Sequence, residues 1–175
     1  GAMDAVEARM FSVPMAKAAI ECALMDLAAK AAHAPLHRLF GERRHDRLPQ
    51  SRILPLKTPG EMADGAVRLM EQGYRFLKVK ASGDIALDLA RLAAVAAVAR
   101  GRARLMVDAN QSYRASDAVA AIGRMADHGV ELVEQPTPAD DPEGFARVCR
   151  ASALPIEADE SAQTLREIQR LAGER

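Results

Sequence analysis

The chain has 175 residues, of which 49% are hydrophobic, and it carries 24 basic and 24 acidic side chains, so its formal net charge is zero. This composition is typical of an ordinary globular domain, and it creates no overall field that would attract nucleic acid or an anionic membrane. The longest apolar stretches are interrupted by charged residues well before the roughly 20 residues that a membrane-spanning helix needs. A small-molecule partner is therefore expected, with no nucleic acid and no membrane.

The first 50 residues differ from the rest of the chain. Residues 1–3 are typical of the remnant of a cleaved expression tag and are kept out of the fold argument. Met15–Ala32 is one long Ala-rich helical pattern with no strand beside it, and a turn around Gly41 and a charged stretch, Glu42–Arg47, come after it. This part is predicted to be a separate element that leads into the first strand.

Cysteine usage indicates the compartment. Cys22 and Cys149 lie far apart in helical patterns, without a CxxC or Cys/His spacing that would bind a metal. Such residues are typical of buried thiols in a reducing environment, so a cytoplasmic protein is predicted.

From about residue 51, short β-rich runs alternate with longer amphipathic runs, which is the pattern of βαβ units and a parallel sheet. Glycines end several of the helical runs directly before a strand. The predicted strands are Ser51–Leu56, Tyr74–Lys80, Arg104–Asp108, Val130–Glu134 and Pro155–Asp159. The predicted helices are Glu61–Gln72, Asp84–Arg100, Ser116–His128, Pro142–Ala151 and Thr164–Leu171.

Four successive strands are predicted to end in a charged residue, namely Lys80, Asp108, Glu134 and Asp159, at intervals of 25 to 28 residues. One strand and one crossover helix occupy a unit of this length, so the period is that of a (β/α) barrel or a doubly wound sheet. No GxGxxG follows a strand, which disfavours a Rossmann-type site. The predicted fold class is α/β, a parallel TIM-type barrel that is incomplete here, because about five units are present and a whole barrel needs roughly 250 residues.

The carboxyl ends of barrel strands form one catalytic face, so the charged strand ends are expected to meet there. Three carboxylates brought together need a counter-charge, and an all-oxygen ligand set suits a hard cation such as Mg²⁺ or Mn²⁺. Asp108, Glu134 and Asp159 are the predicted metal ligands. Each acid taken alone is more often an ordinary strand-end residue that caps the next loop, and the constant period is what favours a metal site.

Other polar residues are predicted to lie around the site. Asn110 shares the face of Asp108 and would donate a hydrogen bond to a metal ligand, and Glu160 lies at the same mouth. Glu157 is expected to point inward, where Lys78 is a candidate partner.

Lys78 and Lys80 are two residues apart in one strand and so point to the same face. Crowding of two ammonium groups in a partly dry site predicts a lowered pKa for the pair. A lysine perturbed in this way can act as a general base, so Lys80 is predicted to move the proton next to a substrate carboxylate, with Lys78 helping to hold that carboxylate. The cation would stabilise the enediolate that results. A KxK pair on its own is more often an exposed edge pair.

These residues resemble the enolase superfamily, specifically its muconate lactonizing enzyme subgroup. The matching motifs follow the family's order and spacing, and Ala16–Gly41 is similar to the last helix of the family's capping domain and the run into the barrel. The motifs are Lys78-Val79-Lys80, Asp108-Ala109-Asn110, Glu134-Gln135-Pro136 and Ala158-Asp159-Glu160-Ser161.

The resemblance implies that Lys80 is the acid/base lysine, that Lys78 is its carboxylate-side neighbour, and that the three acids bind Mg²⁺. An Asp at position 159, followed by Glu-Ser, favours the muconate lactonizing subgroup over the mandelate racemase subgroup. Members of the subgroup include cycloisomerases, epimerases or racemases, and o-succinylbenzoate synthases. The implied function is a metal-dependent isomerase that abstracts the α-proton of a carboxylate substrate.

The resemblance also implies a domain organisation. Residues 4–50 would be the C-terminal helix of the capping domain with its linker, and residues 51–175 the partial barrel with the metal site. The family's second catalytic lysine lies on the sixth strand, which this chain does not reach, so two-base epimerisation by the chain alone is expected to be crippled.

Two other functions remain open. A lyase or dehydratase could use the same scaffold, because the same enolate can expel a β-leaving group. Alternatively, the chain could be a non-catalytic half-barrel that self-associates, because open strand edges are templates for pairing with another chain. A homo-oligomer formed through the exposed strand edges is expected in this second case.

Overall fold

The computed structural model describes residues 1–173 and contains one parallel sheet of five strands, which lie side by side in chain order. The strands are β1 (Ser51–Leu54), β2 (Phe76–Lys80), β3 (Arg104–Asp108), β4 (Val130–Glu134) and β5 (Ile156–Glu157). The helices are α1 (Ala2–Glu7), α2 (Pro14–Ala31), α3 (Pro59–Glu71), α4 (Ile85–Ala99), α5 (Ala115–Asp127), α6 (Pro142–Ala151) and α7 (Leu165–Gly173), and Leu36–Leu39 is a 3₁₀ helix.

The chain separates into two compact units, residues 1–48 and the part from residue 49 onward. The first unit holds α1, α2 and the 3₁₀ helix. Helix α2 begins with Pro14, whose missing N–H costs nothing in the first turn of a helix, and it covers the long Ala-rich pattern. No helix between residues 1 and 173 combines the length and the apolar character that crossing a membrane requires.

The cysteine prediction is wrong in one respect. Both Cys22, on α2, and Cys149, on α6, are exposed to solvent and not buried. The separation of the two residues along the sequence carries no information about their burial.

The second unit is built from strand–helix repeats whose helices begin at local capping signals. At the start of α3, Thr58 accepts a hydrogen bond from the Glu61 backbone N–H, and Glu61 accepts one from Thr58 in return. At the start of α4, the Asp84 side chain accepts a hydrogen bond from Leu87 N–H. These caps satisfy N–H groups that have no partner inside the helix.

The core lies between the sheet and its helices. Leu77 and Val79 of β2 are buried in one apolar cluster with Leu92 of α4 and Ile122 of α5. Because side chains alternate along a strand, the apolar positions of β2 put Lys78 and Lys80 on the opposite face of the sheet. The predicted βαβ repeat is therefore confirmed, with its charged strand ends outside the apolar layer.

Strand register brings the charged ends to one edge. Lys80 is paired with Asp108, Asp108 with Glu134, and Glu134 with Glu157. The bounds of β3 and β4 agree with the prediction, whereas β1, β2 and β5 are shorter than predicted. Because β5 ends at Glu157, the predicted ligand Asp159 lies in the turn beyond the strand and not at its last residue.

The loop after β2 packs closely against the loop after β3. Gly83 has a φ of +93°, and a Cβ added there would lie 3.0 Å from the backbone oxygen of Ser112. A side chain is disfavoured both by the left-handed backbone and by this contact. Gly123, inside α5, has no atom within 4 Å of the corresponding position.

Gly83→Ala is expected to lower the free energy of unfolding by about 1 to 3 kcal/mol, because alanine is strained at this backbone conformation. Gly123→Ala is the matched control and should raise it by up to about 1 kcal/mol, because alanine is the better helix former. Urea-induced unfolding measures both changes. Equal stability of the two variants would contradict the described loop geometry.

Candidate active site

Two lysines and two acids from three neighbouring strands form a charged cluster at the carboxyl edge of the sheet. The Lys78 ammonium lies 2.7 Å from Glu134 Oε2 and 3.0 Å from Asp108 Oδ2. The Lys80 ammonium lies 2.6 Å from the same Asp108 oxygen. Asp108 and Glu134 are only 1% and 6% exposed, so these ion pairs compensate two buried carboxylates.

The surroundings shift the two acids in opposite directions. Burial raises the pKa of Glu134 above its ordinary value, and the charges of Asp108 and Glu157 add to this, although the hydrogen bond from Lys78 opposes them. Burial also acts to raise the pKa of Asp108, but hydrogen bonds from Lys80 and Lys78 outweigh it and the pKa is lowered. Asp108 thus receives two ammonium groups, whereas Glu134 receives one and faces a second carboxylate.

The prediction of a lowered pKa is wrong for Lys78. Burial does lower the pKa of this ammonium, but the hydrogen bonds to Glu134 and Asp108 dominate, and the pKa is raised above its ordinary value. The candidate pairing of Lys78 with Glu157 is also not found: Glu157 is exposed, and Lys78 bonds to the two acids on β3 and β4. The neighbouring ammonium alone would lower the pKa of Lys78, but the carboxylates on the next two strands determine its direction.

Asn110 and Glu160, the predicted supporting residues, extend the cluster. The Asn110 side chain accepts a hydrogen bond from Lys80 and donates one to Glu160 Oε1 over 3.2 Å. Its backbone N–H donates to Asp108 Oδ1 over 3.0 Å. The second carboxylate oxygen of Glu160 is buried and has no hydrogen-bond partner among residues 1–173. Asn110 therefore connects the lysine, one acid of the cluster and the turn after β5.

Asp159 is the predicted metal ligand that lies outside the charged cluster. It is exposed, and within residues 1–173 its carboxylate makes no hydrogen bond or ion pair. Over the same range, no three His, Cys, Asp or Glu side chains are arranged so that they could hold a metal ion together. The ammonium groups of Lys78 and Lys80 lie against the carboxylate oxygens of Asp108 and Glu134.

The chemistry of the donor set nevertheless fits a hard divalent cation. Asp108 and Glu134 offer buried carboxylate oxygens whose charges must be compensated, and Asp159 offers an open carboxylate on the next loop. Oxygen ligands of this kind are preferred by Mg²⁺ and Mn²⁺. Whether these three acids share an ion stays a prediction.

A buried carboxylate that the sequence analysis missed holds the loop after Lys80. Asp88 accepts hydrogen bonds from the backbone N–H groups of Ser82, at 2.9 Å, and Gly83, at 3.0 Å. The Tyr113 hydroxyl donates to Asp88 over 2.9 Å, and Arg91 pairs with it over 3.1 Å. Burial and the charge of Asp88 raise the pKa of Tyr113 well above its ordinary value of 10.0, so the hydroxyl remains a donor.

Backbone strain is concentrated at the same edge. Asn110, Gln111 and Gln135 have φ values of +40°, +68° and +35°, in the left-handed region that non-glycine residues rarely adopt. They lie within three residues of the ends of β3 and β4. Strained residues of this kind cluster at functional sites, where the surrounding hydrogen bonds hold them in place.

A cavity of about 520 Å³ adjoins Lys80. Its walls include apolar side chains from the end of β1, Ile53 and Leu56, and the polar residues Asn110 and Ser112. A larger cavity of about 740 Å³ lies at the amino ends of β2 and β3, away from this chemistry. The smaller cavity is a shallow, open depression that places an apolar and a polar wall beside one ammonium group.

The sequence matches two family descriptions. Residues 61–175 match "Enolase C-terminal domain-like", and residues 1–41 match "Mandelate racemase / muconate lactonizing enzyme, N-terminal domain". The chain belongs to the mandelate racemase and muconate lactonizing enzyme family of the enolase superfamily, which confirms the resemblance stated above. Its five strand–helix units are part of the α/β TIM-type barrel of that superfamily.

Similar proteins are isomerases. The L-Ala-D/L-Glu epimerase of Bacillus subtilis is 41% identical over 155 residues, which are 87% of this chain and 42% of that protein. The muconate cycloisomerase structure from Pseudomonas fluorescens has a TM-score of 0.92 at 30% identity and covers 99% of this chain and 48% of its own. The dipeptide epimerase structure from Enterococcus faecalis, complexed with Mg and L-Leu-L-Tyr, has a TM-score of 0.90 at 34% identity, with coverages of 96% and 47%. The chain thus spans less than half the length of these relatives.

Asp88→Asn is expected to lower the free energy of unfolding by about 2 to 3 kcal/mol, because buried hydrogen bonds to a charged acceptor are weakened. Asp84→Asn, at the start of the same helix, is the control and should change it by less than about 0.5 kcal/mol, because Asn and Asp are equivalent N-caps. Chemical denaturation monitored by circular dichroism measures both. An Asp88 variant as stable as its control would show that the buried network contributes nothing.

Proposed function

We propose that this chain carries the metal-binding and proton-transfer part of an isomerase that removes the α-proton of a small carboxylate substrate. The observation that carries the proposal is the meeting of Lys78, Lys80, Asp108 and Glu134 at one edge of the sheet, with ammonium-to-carboxylate distances of 2.6 to 3.0 Å. The family's epimerases and cycloisomerase support the same reaction type. This chain spans less than half the length of its relatives. The activity is therefore proposed for the whole protein.

The residues have separate tasks in this proposal. Asp108, Glu134 and Asp159 would hold Mg²⁺ or Mn²⁺, which supplies positive charge that stabilises an anion developing at the substrate carboxylate. The Mg in the Enterococcus faecalis dipeptide epimerase structure supports this choice of ion.

Lys80 is the proposed acid/base group because it borders the cavity at the rim. In its neutral form its nitrogen accepts the α-proton, and in its ammonium form it returns a proton to the same face. Asn110 accepts a hydrogen bond from this lysine and so fixes its direction. Lys78 is placed to bind a substrate carboxylate oxygen once it leaves Glu134.

The proposed substrate class follows from the cavity beside Lys80. Its polar wall suits the backbone of an amino-acid derivative, and Ile53 and Leu56 suit an apolar substituent. Dipeptides are therefore the first substrates to test, as the names of two of the relatives also suggest.

Titration with Mg²⁺, followed by calorimetry, tests the metal site. Asp108→Asn and Glu134→Gln are each expected to weaken binding at least about tenfold, which corresponds to 1.4 kcal/mol, because each removes a charged oxygen ligand. Asp64→Asn, an exposed acid on α3, is the control and should leave the affinity unchanged. Size-exclusion chromatography with and without Mg²⁺ completes the test. A dimer indifferent to Mg²⁺, with unchanged affinity in the Asp108 variant, would favour the self-associating half-barrel instead.

Exchange of the α-proton of L-Ala-L-Glu in heavy water, followed by NMR in the presence of Mg²⁺, tests the role of Lys80. Lys80→Met should slow the exchange about 10² to 10⁴-fold, the usual contribution of a general acid/base group. Lys57→Met removes an exposed lysine of the loop after β1 and should have no effect. Full exchange by the Lys80 variant would rule out Lys80 as the acid/base group. In a separate assay with a β-hydroxy carboxylate, loss of water would indicate a dehydratase.

A further inference from the structure

Gln135, the residue after Glu134, is buried with its side-chain amide fully hydrogen-bonded. It is 0% exposed. Its Oε1 accepts hydrogen bonds from the backbone N–H groups of Asp159, at 2.9 Å, and Ser161, at 3.1 Å. Its Nε2 donates to the backbone oxygen of Thr137, at 2.9 Å, and to Ser161 Oγ, at 2.6 Å. Each bonding direction of the amide is therefore used, and all the partners lie at the carboxyl edge of the sheet.

The hydrogen bonds hold Gln135 in a backbone conformation that would otherwise be unfavourable. Its φ is +35°, and its backbone oxygen accepts a hydrogen bond from Gln111 N–H over 2.8 Å. A long side chain in the left-handed region costs on the order of 1 kcal/mol or more. The structure uses that conformation to turn a side chain at the end of β4 toward the turn after β5.

The turn after β5 begins where the backbone bonding between β4 and β5 ends, at the hydrogen bond from Gln135 N–H to the Glu157 oxygen over 2.9 Å. Strand β5 has two residues, so its ladder to β4 stops at the pairing of Glu134 with Glu157. Asp159 is exposed, and in the described part of the chain its carboxylate has no partner. The bonds to Gln135 Oε1 are what tie the backbone of residues 159–161 to the neighbouring strand.

We infer that Gln135 is a positioning residue that fixes the Asp159 backbone beside Glu134, so that both carboxylates can reach one cation. The inference rests on the proposed function, because it takes Asp159 as a metal ligand. The Gln135 amide bonds to the loop after β4 and to the loop after β5. It therefore sets the spacing between Glu134 and Asp159. Without it, the backbone N–H groups of Asp159 and Ser161 would lose their hydrogen bonds to the residue that follows β4.

The test is a double-mutant cycle on Mn²⁺ affinity, measured by electron paramagnetic resonance of the free ion. Gln135→Leu is expected to weaken Mn²⁺ binding at least about tenfold in the wild-type background. In an Asp159→Asn background the same change should cost less than about twofold, because the positioned carboxylate is already absent. Gln111→Leu is the matched control. Gln111 also accepts a backbone N–H on this rim, that of Ala139, but does not touch the Asp159 turn, so it should cost less than about threefold.

A second readout and a second variant separate positioning from general stability. Water-proton relaxation of bound Mn²⁺ should increase in Gln135→Leu, because water replaces the lost carboxylate, and should not change in Gln111→Leu. Gln135→Asn keeps the amide but is one methylene too short to reach Asp159 N–H. If the leucine variant does not fold, Gln135→Asn replaces it in the double-mutant cycle with Asp159→Asn.

Four outcomes would overturn the inference. Wild-type affinity in the Gln135 variants would do so, and so would an equal loss with and without the Asp159 carboxylate, which would indicate a purely structural role. In both cases the metal site itself survives. A wild-type chain that binds no Mn²⁺, or an Asp159→Asn variant with full affinity, would remove the proposed function along with the inference.

Discussion

The structure depends on the compensation of charge between adjacent strands. In-register pairing of β3 with β4 sets Asp108 next to Glu134, and both carboxylates are almost completely buried. Unpaired buried charges would cost several kcal/mol each, so the two ammonium groups on β2 are part of the fold as much as of the chemistry. A slip of one residue in β2 would place its lysines in the apolar layer and Leu77 and Val79 at the rim. Apolar packing and charge therefore specify the same register.

Much of this arrangement could be predicted from the sequence, because the two-residue alternation of side chains in a strand and the strand–helix repeat point to the same residues. The alternation of side chains within a strand predicts which face Lys78 and Lys80 share, and the repeat length predicts that each acid ends the next strand. Both arguments hold for β3 and β4, whose bounds agree with the structure. They fail for β5, because the turn that follows it is organised by hydrogen bonds from another loop, and Asp159 consequently lies outside the strand.

Residues whose partners are backbone groups were harder to find. Gln135 bonds to the N–H groups of a loop about 25 positions further along the chain, and no residue-type pattern signals such a contact. Asp88 did leave a signal: it shares a helical stripe with Leu92, Val95 and Ala99, all of which are buried. A carboxylate on the apolar side of a helix needs a specific partner, so its periodicity alone marks it as structural. The pKa of Lys78 was mispredicted for a related reason, since the carboxylates that raise it come from other strands.

The order of the strands has a consequence for synthesis of the protein. Because β1 to β5 lie side by side in chain order, each strand from β2 to β5 pairs with a strand that was synthesised just before it. Among these five strands the loop closures are therefore short, and each added strand exposes one new edge. The charge cluster would be completed during translation in the same sequence, lysines first and acids afterwards, with each buried carboxylate arriving beside an ammonium group that is already in place.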